Sequence, residues 1–180
     1  TTADANTAVG YRALYNNTTG ANNTVSGFDA MFTNTTGSFN VAIGLNAMNK
    51  NEGGEQNTAV GYTALEDATT ANYNVAVGKD AGNSVTTGGY STIIGTVAGA
   101  SITTGTALTA VGYGAANVTT GNDAVAVGYR AAVSHTTGLG LVTIGTESLE
   151  SVTTANYNTA VGFKAGEDNA SGIENTYLGW

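Results

Sequence analysis

Residues 57–62 read Asn-Thr-Ala-Val-Gly-Tyr, and close variants of this hexapeptide recur through the whole 180-residue chain. Its glycine falls at Gly10, Gly27, Gly44, Gly61, Gly78, Gly95, Gly112, Gly128, Gly145, Gly162 and Gly179. Nine of the ten intervals between these glycines are 17 residues, and the interval from Gly112 to Gly128 is 16. A period this constant predicts a repeat architecture in which each unit stacks on the next.

The repeat unit is too short for a helical array. Helix–turn–helix repeats need more than about 30 residues, and Gly, Thr and β-branched residues at fixed positions favour strands and turns. We therefore predict an all-β protein, a β-solenoid or parallel β-roll of about ten 17-residue coils. With about two short strands per coil and ~4.8 Å between coils, the rod would be on the order of 50 Å long. Residues 1–180 are expected to form this single domain, as a section of a longer fibre.

Residues that share a phase form columns along such a rod, and each column is named here after its residue in the first coil. The Val9 column is almost wholly aliphatic and predicts the core of the strand: Val9, Ser26, Ile43, Val60, Val77, Ile94, Val111, Val127, Ile144, Val161 and Leu178. Because side chains alternate along a strand, the same core is expected to take Thr7, Val41, Thr58, Val75 and Val142. A tight interior corner is predicted at Ala13, Ala30, Ala47, Ala64, Ala81, Ala98, Ala115, Ala131, Ser148 and Ala165. A second strand is predicted to carry Val85, Ile102, Val118 and Val152.

Glycine and asparagine columns are predicted to form the turns. The Gly10 column and a second glycine column are expected to adopt positive φ or to turn the backbone sharply; the second holds Gly20, Gly37, Gly54, Gly88, Gly105, Gly121, Gly138 and Gly172. The Asn6 column fits a corner, since Asn tolerates left-handed geometry and stacked amides can hydrogen-bond along the rod: Asn6, Asn23, Asn40, Asn57, Asn74, Asn158 and Asn175. Opposite charges in neighbouring coils are expected to fix the register, at Arg12–Asp29, Lys50–Asp67 and along Arg130, Glu147 and Lys164.

Two further apolar columns remain once this core is filled. The Ala8 column holds Ala8, Val25, Ala42, Ala59, Ala76, Ile93, Ala110 and Ala126. The Leu14 column holds Leu14, Met31, Met48, Leu65, Gly82, Gly99, Ala116, Ala132 and Leu149. A lone coil would expose at least one of them as an apolar stripe larger than a monomer surface usually carries. We therefore expect a parallel homo-oligomer, preferably a trimer; a wider single coil that buries both columns is the alternative.

Composition excludes several functional classes. The chain has no Cys, which rules out disulfides and Cys-ligated metals, and its five Lys and Arg with a net charge of −8 argue against a nucleic-acid partner. No apolar run approaches the ~18 residues of a membrane span, so membrane insertion is not expected. The one histidine, His135, is expected to be a surface variant, and the acidic pairs Glu66-Asp67 and Glu167-Asp168 define no catalytic geometry. We expect no enzyme, no cofactor and no metal.

Two ladders are candidate binding surfaces. The aromatic column would stack on sugar rings if exposed, or pack between protomers or over the glycine turn, which is the favoured role: Tyr11, Phe28, Tyr62, Tyr113, Tyr129, Phe163 and Trp180. The Thr18 column opens a Thr-Thr pair in most coils: Thr18, Thr35, Thr69, Thr86, Thr103, Thr119, Thr136 and Thr153. Flat Thr arrays resemble the ice-binding faces of antifreeze proteins, but those need two outward Thr around an inward residue. An adjacent pair is expected to turn one Thr in and one out, which favours a structural hydroxyl ladder before a turn.

The repeat also resembles known fibre families. Residues 6–14 and 57–65 resemble the repeats of phage tail fibres and bacterial surface fibres, and residues 40–44 and 74–78 are similar to the head repeats of YadA-like trimeric autotransporter adhesins. The resemblance covers nearly the whole chain and implies a left-handed, parallel, homotrimeric β-roll outside the cell, on a virion or a bacterial surface. It implies a stiff shaft with a host- or surface-binding face, whose receptor is a cell-surface glycan or protein. The alternatives are an ice- or polysaccharide-binding solenoid and a self-assembling extracellular filament subunit.

Overall fold

The computed structural model describes residues 3–118 and 122–179. Within these ranges the chain is an all-β solenoid of about ten turns without a helix, and eleven strands form one parallel sheet in chain order. The strands are β1 (Thr7–Val9), β2 (Thr24–Ser26), β3 (Val41–Ile43), β4 (Thr58–Val60), β5 (Val75–Val77), β6 (Thr92–Ile94), β7 (Thr109–Val111), β8 (Val125–Val127), β9 (Val142–Ile144), β10 (Thr159–Val161) and β11 (Thr176–Leu178). The predicted stack of coils is confirmed.

The register of the sheet places like residues directly above one another. Val60 on β4 pairs with Val77 on β5, one full repeat later. The short 16-residue interval does not disturb this register, because Thr109 on β7 still pairs with Val125 on β8. The missing residue is therefore accommodated outside the sheet.

Each coil contains one strand rather than the two that were predicted, yet hydrogen bonds between coils continue well beyond the sheet. At the first corner the Leu14 amide donates to the Ala30 carbonyl at 3.0 Å, and at the Thr-Thr pair the Thr69 amide donates to the Thr86 carbonyl at 3.0 Å. Backbone groups in turns are thus paired with the neighbouring coil, as buried or half-buried backbone groups require. The predicted second strand is a turn, in which Val85, Ile102 and Val152 are buried but Val118 is exposed.

The core lies on the opposite side of the strand from the side that was predicted. Val9 is 63% exposed and Ile43 is 42% exposed, so the Val9 column faces outward. The Ala8 column, which lies between the Thr7 and Val9 columns on the strand, faces inward. From Val25 to Ala160 every one of its members is buried. The coil is narrow, and an Ala on the strand leaves room for the larger side chains that enter from the other wall.

The Leu14 column supplies those larger side chains. Met31, Met48, Leu65 and Leu149 are fully buried, and the Ala13 column beside them forms the predicted tight corner. A single coil therefore buries both columns that were expected to form an exposed stripe. The argument for an oligomer from these two columns was wrong, and any lateral contact must use other residues.

Left-handed backbone conformations mark the corners of each coil. Positive φ recurs in the Ala5, Arg12 and Leu14 columns, for example at Phe39 (60°), Asp29 (53°) and Met48 (51°). The Gly10 column also has positive φ, and a Cβ on Gly61 would collide with the carbonyl oxygen of Gly78 in the next coil. The second glycine column and the Asn6 column do not have positive φ in the described residues, so of the two roles expected for the second glycine column only the sharp turn remains.

Two ladders of asparagine amides run through the buried part of the rod. In the Asn6 column, the Asn40 amide N–H donates to Oδ1 of Asn23 at 2.9 Å. In the Asn17 column, Nδ2 of Asn34 donates to Oδ1 of Asn17 at 2.8 Å, and Nδ2 of Asn51 donates to Oδ1 of Asn34 at 2.6 Å. The predicted hydrogen bonding of stacked amides along the rod is confirmed, and it pairs most of these buried polar groups, whereas Oδ1 of Asn51, which is followed in its column by Ala68, accepts no hydrogen bond from the described residues.

Candidate functional site

The broadest regular surface of the molecule surrounds the strands. It consists of the Thr7, Val9 and Tyr11 columns, which we call the strand face. Every member of the Thr7 column is Thr or Val: Thr7, Thr24, Val41, Thr58, Val75, Thr92, Thr109, Val125, Val142, Thr159 and Thr176. Left-handed residues of the Ala5 column on one side and the Arg12 column on the other turn the chain away and so bound this face.

The strand face is large and almost free of charge. Five residues at ~3.3 Å each and ten coil spacings of ~4.8 Å give about 800 Å². Apolar patches on monomers are usually about 300–600 Å². Of the five Lys and Arg and 13 Asp and Glu residues, only Lys79 lies in these three columns. The other charged groups belong to other columns, although the Arg12 guanidinium reaches over the margin to 5.2 Å from the Tyr11 ring centroid.

The predicted aromatic ladder lies along one margin of the strand face. Its rings are exposed, and they stack on one another: the Tyr11 and Phe28 centroids are 5.1 Å apart at 22°, and those of Tyr113 and Tyr129 are 5.5 Å apart at 15°. A stacked ring turns its faces toward the coils above and below and its edge toward solvent. Tyr62 and Phe163 are also exposed in this column, and Trp180 lies outside the described residues. This geometry favours packing of ring edges over stacking on sugars.

A second aromatic column was missed in the sequence. The Ala5 column contains Phe39, Tyr73, Tyr90 and Tyr157, all exposed, and the Tyr73 and Tyr90 rings stack at 4.9 Å and 12°. The column has no consensus, because its other members include Gln56, Ala107, Asp123 and Gly140. The 17-residue spacing from Tyr73 to Tyr90 was the available signal.

The Thr-Thr pairs do not alternate between the inside and the outside. In the described coils neither Thr of a pair is buried, so the expectation of one inward Thr was wrong. The hydroxyl of the first Thr donates to a backbone carbonyl of the next coil, as from Thr18 to Thr35 at 2.8 Å and from Thr86 to Thr103 at 3.1 Å. The same bond is made by Thr35, Thr69, Thr136 and Thr153. Thr103 is exposed, and Thr119 lies outside the described residues.

His135 is fully buried, which contradicts its prediction as a surface variant. It occupies the Asn17 column, where a side chain enters the coil from the turn. Burial lowers the pKa of His135, because the charged imidazolium is disfavoured away from water. Its location in the core gives it a packing role.

One acidic cluster lies on the charged side of the coil. Carboxylate oxygens of Glu147, Glu150 and Glu167 lie within 4.8 Å of one another. Protein cations already neutralise them, since Lys164 lies 2.8 Å from Glu167 and Nε of Arg130 donates to Glu150 at 2.9 Å. The cluster is therefore an ion-pair network that joins coils.

Most of the predicted inter-coil ion pairs are present. Arg12 donates two hydrogen bonds to Asp29, which lowers the pKa of Asp29 and raises that of Arg12. Lys50 lies 2.7 Å from Asp67. In the third expected set Lys164 reaches Glu147 at 3.5 Å, whereas Arg130 pairs with Glu150 instead of Glu147.

The candidate functional surfaces are thus the strand face and the aromatic Ala5 column. Among the described residues no helix is long and apolar enough to cross a bilayer. No protein-family model, curated protein or solved structure matches the chain.

Proposed function

We propose that this chain is a section of an extracellular fibre, in which three parallel copies with left-handed coils associate along their strand faces. The observation that carries the proposal is the strand face, a regular and almost uncharged surface of Thr, Val, Ile and aromatic side chains that is open to solvent. The resemblance to phage tail-fibre and YadA-like repeats supports the same assembly.

The size of the strand face is appropriate for contact between copies. Stable interfaces bury about 800 Å² per partner, and the strand face offers about 800 Å². Burying β-branched and aromatic side chains is favourable at roughly 25 cal/mol per Å², although association entropy offsets part of that gain. Because parallel copies share the same repeat, each coil would meet an equivalent coil of its neighbour.

The coil architecture supports a mechanical role. Ladders of backbone, Asn and Thr hydrogen bonds join each coil to the next on several sides, as at Asn40–Asn23 and Thr86–Thr103. A rod held in this way is stiff, and its short turns offer few sites for proteolysis. The fibre section would act as a shaft that carries a host- or surface-binding region on a virion or bacterial surface.

Native mass spectrometry and sedimentation test the proposal. A fixed threefold mass is expected, and Ile94→Lys at the middle of the strand face should dissociate it, because the ammonium would be buried unpaired. Ser101→Lys, on an exposed turn of the same coil, is the matched control and should leave the mass unchanged. A wild-type monomer, or equal effects of both variants, would overturn the proposal; a concentration-dependent polymer series would indicate the filament alternative.

Ice binding is the second candidate function, and one observation favours it. On the strand face an outward Thr and an outward Val or Ile flank an inward Ala, as at Thr58, Ala59 and Val60, with identical spacing in successive coils. This is the alternation that the Thr-Thr pairs lack. Thermal hysteresis from a monomer, lost in Thr92→Lys but kept in Thr103→Lys, would establish this function in place of lateral association.

A further inference from the structure

The aromatic Ala5 column is interrupted in the middle of the rod. Between Tyr90 and Tyr157 the three intervening coils carry Ala107, Asp123 and Gly140. Two of these are the smallest side chains in the column, and the third is a carboxylate. We call the resulting indentation, lined by these five residues, the Tyr90 notch.

The lower boundary of the notch is an open aromatic face. One face of the Tyr90 ring is covered by Tyr73, whose centroid is 4.9 Å away. The other face looks toward Ala107, which offers only a methyl group. Tyr90 is accordingly 69% exposed, compared with 45% for Tyr73. Tyr90 therefore keeps one ring face available for stacking.

The upper boundary is formed by Tyr157. Its ring lies over Gly140, because a Cβ built on Gly140 would be only 2.8 Å from Cδ1 of Tyr157. The open interval is therefore the height of the coils that carry Ala107 and Asp123, which is about 10 Å at ~4.8 Å per coil. This height accommodates a sugar ring stacked on Tyr90 with room above it for hydroxyl groups.

Asp123 lies in the middle of the notch. It is exposed, and its carboxylate makes no ion pair or side-chain hydrogen bond with any residue of the described ranges 3–118 and 122–179. Its backbone amide is fixed by donation to the Thr106 carbonyl at 3.2 Å. A free carboxylate held at a fixed height accepts hydrogen bonds from adjacent hydroxyl groups.

We propose that the Tyr90 notch binds a neutral pyranose unit of a glycan. The C–H face of the sugar would stack on the open face of Tyr90, and Asp123 would accept hydrogen bonds from two neighbouring hydroxyls. The carboxylate and the net charge of −8 disfavour acidic sugars. The notch belongs to the Ala5 column, which borders the strand face but is not one of its three columns, and the proposal rests on the notch residues and not on the proposed function.

The experiment uses short neutral oligosaccharides of glucose, galactose, mannose and N-acetylglucosamine, with oligogalacturonate as the acidic probe. Binding is measured by saturation-transfer NMR and calorimetry. At least one neutral probe should bind, and oligogalacturonate should not. Tyr90→Ala and Asp123→Asn should each weaken binding by about tenfold or more, the scale of one lost stacking or charge-assisted contact.

Ala107→Tyr gives a sharper test, because it fills the notch without removing a binding group. The backbone accepts Tyr here, since φ is 55° at Ala107 and 54–60° at Tyr157, Tyr73 and Tyr90. This variant should keep or raise the melting temperature and abolish binding. Phe39→Ala, in the same column but away from the notch, should bind like the wild type. Failure of every neutral probe, unchanged binding by Ala107→Tyr, or equal loss in Phe39→Ala would overturn the proposal.

Discussion

The coil that contains Met48 and the coil that contains Gly99 fill the same interior in different ways. In the first, the buried Met48 is accompanied by Ala on the strand and Asn51 at the turn. In the second, the space belongs to Ile93 and Ile102: a Cβ on Gly99 would lie 2.7 Å from Cδ1 of Ile102 and 3.4 Å from Cδ1 of Ile93. The comparison teaches that the repeat conserves the interior volume of a coil, while the column that supplies this volume changes.

The exchange also changes how polar groups are handled. Around Met48 the turn column is an amide ladder, in which Asn51 donates to Asn34 and both side chains are buried. Around Gly99 the same column is aliphatic and contains Ile102, so no amide needs a partner. One fold therefore accepts both polar and apolar residues in its turn column.

Removing the large side chain of the first coil type should have the largest effect. Met48→Ala leaves a cavity that Ala on the strand cannot fill, and we expect a loss of about 3 kcal/mol in the free energy of unfolding. Met48→Leu, the residue type found at Leu65, should cost less than about 1.5 kcal/mol. Denaturant unfolding measures both, and equal losses would show that volume is not what the column supplies.

Adding a large side chain at a glycine of the Leu14 column should have an intermediate effect on the free energy of unfolding. Gly82→Leu places its Cβ 3.0 Å from Cδ1 of Ile93, so overpacking should cost about 2 kcal/mol. Backbone strain is not the cause, because φ is 58° at Gly82 and 50° at Leu65. Adding Ile93→Ala should recover at least half of the loss. Strict additivity of the two substitutions in a double-mutant cycle would contradict the volume exchange.

The smallest effect on stability is expected at His135, a titratable residue in the same turn column as Asn51 and Ile102. Burial lowers the folded-state pKa of His135 below its ordinary value of 6.5, so the unfolded chain takes up a proton at higher pH than the folded one. The stabilising contribution is complete above 6.5 and is lost as the pH falls from there through the folded pKa. His135→Val, as at Val85, should remove this slope between pH 7.5 and the acid range, measured against the wild type by melting temperature; identical pH profiles would refute it.

The period and the stacking followed directly from the sequence, but the side of the strand that faces the core did not. Val60 and Ala59 are both apolar, and the larger residue is ordinarily the better core candidate. The choice depends on the width of the coil, which is a property of the whole ring and not of the strand. Two signals in the sequence could have revealed the inward side. The large Ile93 of the Ala8 column occurs where the neighbouring members of the Leu14 column, Gly82 and Gly99, lack a side chain, as expected if both columns fill one interior. The Thr7, Val9 and Tyr11 columns together contain one charged residue, Lys79.

The candidate surfaces were only partly predictable for a related reason. The Thr-Thr pairs and the Ala5 column lie outside the strands, and in the Arg12 column positive φ is adopted even by Val97, at 51°. A β-branched residue disfavours that conformation, so no local rule predicts it. Hydrogen bonds between coils impose it, as from the Val97 amide to the Lys79 carbonyl at 2.9 Å. The alternation of inward and outward side chains therefore ends where the strand ends. Beyond that point the period of two no longer tells which residues face solvent.

Because the bonds that join the coils run along the length of the rod, tension on the two ends of the chain would load a single junction at a time. Each junction that opened would release one 17-residue loop, roughly 55–60 Å of slack, and pass the load to the next. An isolated rod would therefore unfold one coil at a time at low force when its ends are pulled apart, although it resists bending. Neighbouring copies clamped along the strand face would share that load across many coils at once.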